Sequence, residues 1–265
     1  MRNPILGLPQ RLAAVTVVSL LLAFGAAVPV EVASADANNQ QNVVQEEIEV
    51  PGDAVSSGGV ANAGSAMAQA VAVVRQLNVQ VAAGDLEALA NSSQTATNTA
   101  GVTQTVVAVA GDATATDGGT ATTGYAISGA MAVVLQLNIQ IMALLSPECV
   151  VTQVASNDAN VDQTAAAISG EATAAGANSE ASSGNAHAWA RQFSLQRNVQ
   201  IYVCTGRNLG STGNQEASNS LAADQTAAAI SGNASALTGS GAATGNTRAW
   251  SSDLQRQVNR QIVID

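Results

Sequence analysis

The chain has no lysine, one histidine, two cysteines, and only two each of Phe, Tyr and Trp among its 265 residues. Each shortage excludes something. Without lysine, all nine basic residues are arginine, and against 19 acids they leave a net charge of −10. Such a surface repels nucleic acid and anionic lipid, so a phosphate-binding role is not expected. Catalysis needs a titratable or attacking group beside a partner that tunes it. With a lone histidine and no G-x-S-x-G elbow, the sequence offers no catalytic, cofactor-binding or metal-ligating set, and the chain is not expected to be an enzyme. The shortage of aromatics also argues against an ordinary globular core. Ala, Gly, Ser, Thr, Asn and Gln dominate instead, and side chains this small suit closely stacked sheets.

Long apolar runs are scarce too. One, "LAAVTVVSLLLAFGAAV", follows Arg2 and Arg11 and leads to the small-residue site Ala33-Ser34-Ala35. This reads as a secretory signal peptide over residues 1–35, the alternative being a retained membrane anchor. No other run is long enough to span a bilayer, so residues 36–265 are expected to be exported as one repeat domain, secreted or held at the cell surface. From Asp36 onward, 18 acids against 7 arginines give −11. The two cysteines, Cys149 and Cys204, read as one disulfide in an oxidising compartment, with two free thiols as the alternative.

What is present in quantity is repetition. Gly64, Gly124, Gly184 and Gly245 stand 60, 60 and 61 residues apart. Twelve residues after each comes a Gln (Gln76, Gln136, Gln196, Gln257), fourteen after an Asn (Asn78, Asn138, Asn198, Asn259), sixteen after another Gln (Gln80, Gln140, Gln200, Gln261). Upstream, Gln45, Gln104, Gln163 and Gln225 each precede by seven residues a second glycine, Gly52, Gly111, Gly170 or Gly232. The glycines are read as repeat turns. The modules run 45–103, 104–162, 163–224 and 225–265, and 22 to 24 variable residues connect one to the next.

Periodicity decides the element type. Small residues recur at every second position after each anchor glycine (Ala66, Ala68, Ala70, Ala72), and the same face carries the Gln-x-Asn-x-Gln triplet. Alternation at period two predicts strands. The competing reading is an Ala-rich helix, against which stand β-branched runs such as "VVAVA" and "IQI". "GDLEALA", residues 84–90, is expected to be a short helix within a connection. The fold class is therefore all-β, a β-solenoid-like stack of four repeats. The face that is nearly identical in every copy should point inward, because a side chain inside a solenoid must match the one above it. Buried amides that stack can donate to and accept from their neighbours, so the twelve triplet residues are expected to form structural ladders. The other face varies. His187 lies there and reads as an ordinary surface residue, whereas an exposed row such as Met67, Val71 and Val73, or Trp189 and Phe193, could contact a ligand in a binding solenoid.

Asp53, Asp112 and Glu171 follow equivalent glycines, so stacking would bring like charges within about 5 Å, to splay into water or share a cation.

Gly-punctuated, Ala-rich strands with Gln and Asn at fixed positions after a secretion signal resemble the repeats of curli-type functional amyloid subunits. The curli pattern is S-x5-Q-x-G-x-x-N-x-A-x3-Q over about twenty residues, whereas the repeat here is Q-x-N-x-Q in a module of about 60. The resemblance implies a β-solenoid built on amide ladders. The expected function is a structural protein of the cell surface or extracellular matrix that self-assembles into fibres. A monomeric adhesin or carbohydrate-binding solenoid is the alternative. Charge favours end-to-end self-association. Modules one and two carry −5 each, module three −1 and module four +1, with Arg248, Arg256 and Arg260 in the final strand. No polar cap is recognisable after "NRQIVID", and residues 36–44 folding over an edge would be the device that keeps the chain monomeric.

Overall fold

A computed structural model describes residues 34–85, 91–145, 150–204, 212–237 and 241–264. Every regular element in it is a strand. The chain winds through four coils of four strands each. The first coil is β1 (Ser34–Glu49), β2 (Ala54–Ser57), β3 (Val60–Asn62) and β4 (Ala66–Asp85). The second is β5 (Asn91–Val109), β6 (Ala113–Thr116), β7 (Thr120–Thr122) and β8 (Ala126–Leu145). The third is β9 (Val150–Ile168), β10 (Ala172–Ala174), β11 (Glu180–Ser182) and β12 (Ala186–Cys204). The fourth is β13 (Thr212–Ile230), β14 (Ala234–Ala236), β15 (Gly241–Ala243) and β16 (Thr247–Ile264).

Equivalent strands pair in parallel, forming two long sheets (β1-β5-β9-β13 and β4-β8-β12-β16) and two short ones (β2-β6-β10-β14 and β3-β7-β11-β15). The all-β solenoid-like stack expected from the repeat is what the chain forms. Register is strict: Gln76 pairs Gln136, Gln136 pairs Gln196, and Gln196 pairs Gln257. We call such a set of stacked equivalent residues a column.

The two long sheets face each other, and their inner sides meet as alanine on alanine or valine. One cluster joins Ala66, Ala68 and Ala70 to Val106, Ala108, Ala165 and Ala167. A second joins Ala72 and Val74 to Ala100, Val102, Ala159 and Val161. The short sheets close the solenoid over an all-alanine cluster. At the other end of the long strands, Ala82, Met142, Val151, Tyr202 and Cys204 pack together. Alternation thus does what period two demands: even positions of β4, β8 and β12 are buried while odd positions face out.

The turn glycines are required by close stacking. A Cβ on Gly170 would lie 2.1 Å from the Gly111 carbonyl oxygen, and one on Gly184 would lie 2.0 Å from that of Gly124. Backbones touch at these corners, and only glycine leaves room.

Three expectations need correction. The 22 to 24 residues between modules are not variable connections: most belong to β5, β9 and β13, and they supply half the interior. They were missed because their outward positions vary freely and mask the constant inward ones. The helix expected over residues 84–90 does not begin there, since Gly84 and Asp85 finish β4, paired with Leu144 and Leu145; the remainder lies outside the described residues. Residues 36–44 do not fold over an edge but form part of β1, in register with β5. Of the expected signal peptide, residues 1–33 lie outside the described residues.

Candidate functional site: the amide ladders and the ends of the stack

All twelve triplet residues lie on the inward side of the second long sheet, and the structure joins them to three further columns in the first long sheet. In the Gln columns each coil donates to the coil before it. Gln136 Nε2 donates to Gln76 Oε1 at 2.8 Å, Gln196 to Gln136 at 2.9 Å, and Gln257 to Gln196 at 2.9 Å. The column Gln80, Gln140, Gln200 and Gln261 repeats this at 2.8, 2.9 and 2.9 Å. The module-opening residues Gln45, Gln104, Gln163 and Gln225 form another such ladder, each bond 2.7 Å. So do Gln94, Gln153 and Gln215, at 2.9 and 2.7 Å.

The direction is not arbitrary. Except at Gln257 in the last coil, the second hydrogen of each triplet Gln is committed to a backbone carbonyl of the facing sheet: Gln76 to Thr99 at 2.7 Å, Gln136 to Asp158 at 2.8 Å, Gln196 to Ser220 at 2.7 Å. Turning the amide over would set oxygen against oxygen. Each Gln therefore ties coil to coil and sheet to sheet at once.

The Asn columns run the opposite way. Asn78 donates to Asn138 at 3.0 Å, Asn138 to Asn198 at 2.9 Å and Asn198 to Asn259 at 3.0 Å. Across the interior lies a second Asn column, Asn39, Asn98, Asn157 and Asn219, bonded at 3.1, 2.9 and 2.9 Å. The two columns interlock, with Asn98 donating to Asn138 and Asn157 to Asn198, both at 2.8 Å. Asn98, Asn138, Asn157 and Asn198 are fully buried. A buried amide is costly unless bonded, and here each one is. Sequence reasoning missed the second Asn column and the Gln94 column. The signal was there: an Asn stands six residues before each of Gln45, Gln104, Gln163 and Gln225.

Some interior positions break the pattern. Gln192 occupies the column of Ala72 and Ala132, followed in the last coil by Asp253. It is buried, and neither of its amide atoms has a hydrogen-bond partner. In the first coil, Glu47 and Glu49 occupy the columns of Val106 and Ala108.

Asp53, Asp112 and Glu171 form a ladder of their own at an exposed corner. The Asp112 N–H donates to Asp53 Oδ1 at 2.9 Å and the Glu171 N–H to Asp112 Oδ1 at 2.7 Å. Each of these two carboxylates is thus turned onto the backbone of the next coil. Among the described residues, no three His, Cys, Asp or Glu side chains gather as a metal site.

On the outward face, His187 stacks in register between Ile127 and Arg248. Trp189 lies over Gly129, where a Cβ would come within 2.2 Å of its ring. It stacks on Trp250 with centroids 6.2 Å apart, and the Arg191 guanidinium sits 4.7 Å from the Trp250 ring. Met67, Val71 and Val73 are exposed beside this face in the first coil. Cys204 is buried at the end of β12, while Cys149 lies outside the described residues. Compared with known proteins, the chain matches no family model, no curated protein and no solved structure, so what stands is a β-solenoid-like fold with buried Gln and Asn ladders.

Proposed function

We propose that this chain is a secreted structural protein of the cell surface or extracellular matrix, curli-like in the broad sense, whose copies stack head to tail into fibres. The observation that carries this reading is the polarity of the ladders. The Gln45, Gln76 and Gln80 columns end in Nε2 groups at the first coil and in Oε1 groups at the last; the Asn columns end the other way round. Head-to-tail stacking therefore sets donor against acceptor in the five amide columns that reach both ends and continues the parallel register, whereas first coil against first coil sets Gln donor against Gln donor. Such a contact is heterologous and does not close, so it generates a fibre rather than a dimer.

Two further features fit. The glycine column Gly52, Gly111, Gly170 and Gly232 keeps its glycine in the first coil, where a Cβ on Gly52 would meet nothing within 4 Å. A preceding copy would bring its Gly232 carbonyl there and make the glycine necessary. The first two modules are also strongly acidic and the last mildly basic, which orients the approach of one copy to the next. A Cys149–Cys204 disulfide would close a loop of about 55 residues around the third coil, worth roughly 4 kcal/mol by the loop-entropy model. Mass spectrometry of the unreduced secreted protein should find no free thiol; two free thiols would remove the brace from the proposal.

The test is Gly52→Ala in the chain starting at Asp36. The variant should keep the far-UV circular dichroism and melting temperature of the parent yet fail to form the fibres that the parent forms in electron micrographs. A parent that stays monomeric at every concentration and pH, or a variant that forms fibres equally well, would overturn head-to-tail stacking. Persistent monomers would favour the second reading, a ligand-binding solenoid using the Trp189, Trp250 and Arg191 platform, which aromatic stacking and a cation suit.

A further inference from the structure

We infer that Glu47, Glu49 and Asp253 form a carboxylate gate on the end-to-end junction, closing it while charged and opening it when acid neutralises them; this rests on the head-to-tail reading above. The gate follows from register. Glu47 stands in the column Val106, Ala165 and Ala227, and Glu49 in the column Ala108, Ala167 and Ala229. Asp253 stands in the column that begins Ala72 and Ala132. In the middle coils these places are buried among alanines. In the end coils they point inward but lie open, because no coil covers them.

A copy added in register would place Glu47 and Glu49 over Ala227 and Ala229 of the copy before it, and Asp253 under Ala72 of the copy after it. Three carboxylates would then leave water for an alanine interior. Burying a charged carboxylate without a counter-ion is far more costly than burying the neutral acid. Among the described residues, no cation lies on the inward side. Against Asp253, the charged and titratable groups of β12 and β13 are His187, Arg191, Arg197, Glu216 and Asp224, all at outward-facing positions, while Tyr202 faces inward at the far end of β12. Arg248, Arg256 and Arg260 alternate out of phase with Asp253 on its own strand. Against Glu47 and Glu49, β5 has no charged residue, and Asp36, Glu46 and Arg75 all alternate with the outward set. The described polar neighbours inside are neutral: Gln255 Nε2 donates to Asp253, Gln192 below it is unpaired, and Ser251 and Ser194 stand on the same face.

Glu49 also blocks the edge directly. The Met67 N–H points away from the second coil, toward the place a preceding strand would occupy, and Glu49 Oε2 accepts from it at 2.9 Å. The carboxylate thus sits where the carbonyl of an added strand would bond. Inward-pointing charge is a known way of protecting a sheet edge, and here protonation removes it. The expectation that the stack has no polar cap was drawn from the last residues alone. The cap is spread over both end coils, and alternation conceals it.

The experiment compares seeded elongation of three forms of the chain from Asp36, by light scattering and electron microscopy. One is the parent. The second is E47A/E49A/D253A, which restores the alanines of the middle coils. The third is E46Q/E216Q/D224N, which removes the same three charges from outward positions. The isosteric E47Q/E49Q/D253N guards against a packing fault. The parent should elongate at least about tenfold faster near pH 4 than at pH 7. Both inward triples should elongate at pH 7 nearly as fast as the parent does in acid, and the outward triple should change by less than about threefold. If inward and outward triples behave alike while fibres form, the gate is wrong and stacking stands. If no form makes fibres at any pH, stacking itself fails and the gate with it. If Gly52→Ala added to an inward triple leaves elongation unchanged, growth does not use this junction and the gate is overturned.

Discussion

The two middle coils and the two end coils use the same columns but fill them differently. In coils two and three, nearly every inward place is Ala, Val or a fully bonded amide, as at Val106, Ala108, Asn138 and Asn157. In coils one and four the same places admit Gln41, Glu47, Glu49, Asp253 and Gln255. The difference shows that inwardness is a property of the stack. A position that alternation points inward is buried only when another coil lies on it, so identical local structure carries opposite solvation in the middle and at the ends. Apart from Ala35 in the Gln94 column, the end coils keep the ladder and glycine columns of the middle ones while taking on charge that an interior rejects.

This contrast can be broken by mutation, and the largest effect should come from the middle of the ladder. Asn138 accepts from Asn78 and Asn98 and donates to Ser156 O, Asn157 and Asn198. Asn138→Ala strands two or three buried groups at about 1–3 kcal/mol each, a loss of about 3–5 kcal/mol in urea denaturation. The same change at exposed Asn259 should cost about 1 kcal/mol. Equal costs would mean that the middle ladder is not dry.

Next in size is the glycine column. Gly170→Ala should destabilise by about 1–3 kcal/mol or more, because its Cβ would press on the Gly111 carbonyl, whereas Gly52→Ala should leave the melting temperature of the isolated chain unchanged. If both destabilise alike, the glycines serve the turns themselves rather than the stacking. The smallest effect belongs to the outward face: His187→Ala should stay within about 0.5 kcal/mol, and a larger loss would make that face structural.

Much of this was legible in the residues. Twelve amides at constant spacing, with small residues alternating before them, marked the second long strand of each coil, and identity between copies marked its inward side. The first long strand was harder to see. In β5, β9 and β13 the constant Gln and Asn are separated by outward residues that vary between copies, such as Thr95, Val154 and Glu216. Variation on one face therefore disguised a strand as a connection.

What the sequence determined by itself is the period of two along the strand and the period near 60 between coils, because side-chain direction and in-register identity are both written in spacing. What only the tertiary structure decided is how the two long sheets face each other. That packing supplies the carbonyls which fix the direction of each Gln ladder, and it makes the places of Glu47, Glu49 and Asp253 interior ones. Spacing shows which residues share a face; what that face meets depends on strands far away in the chain.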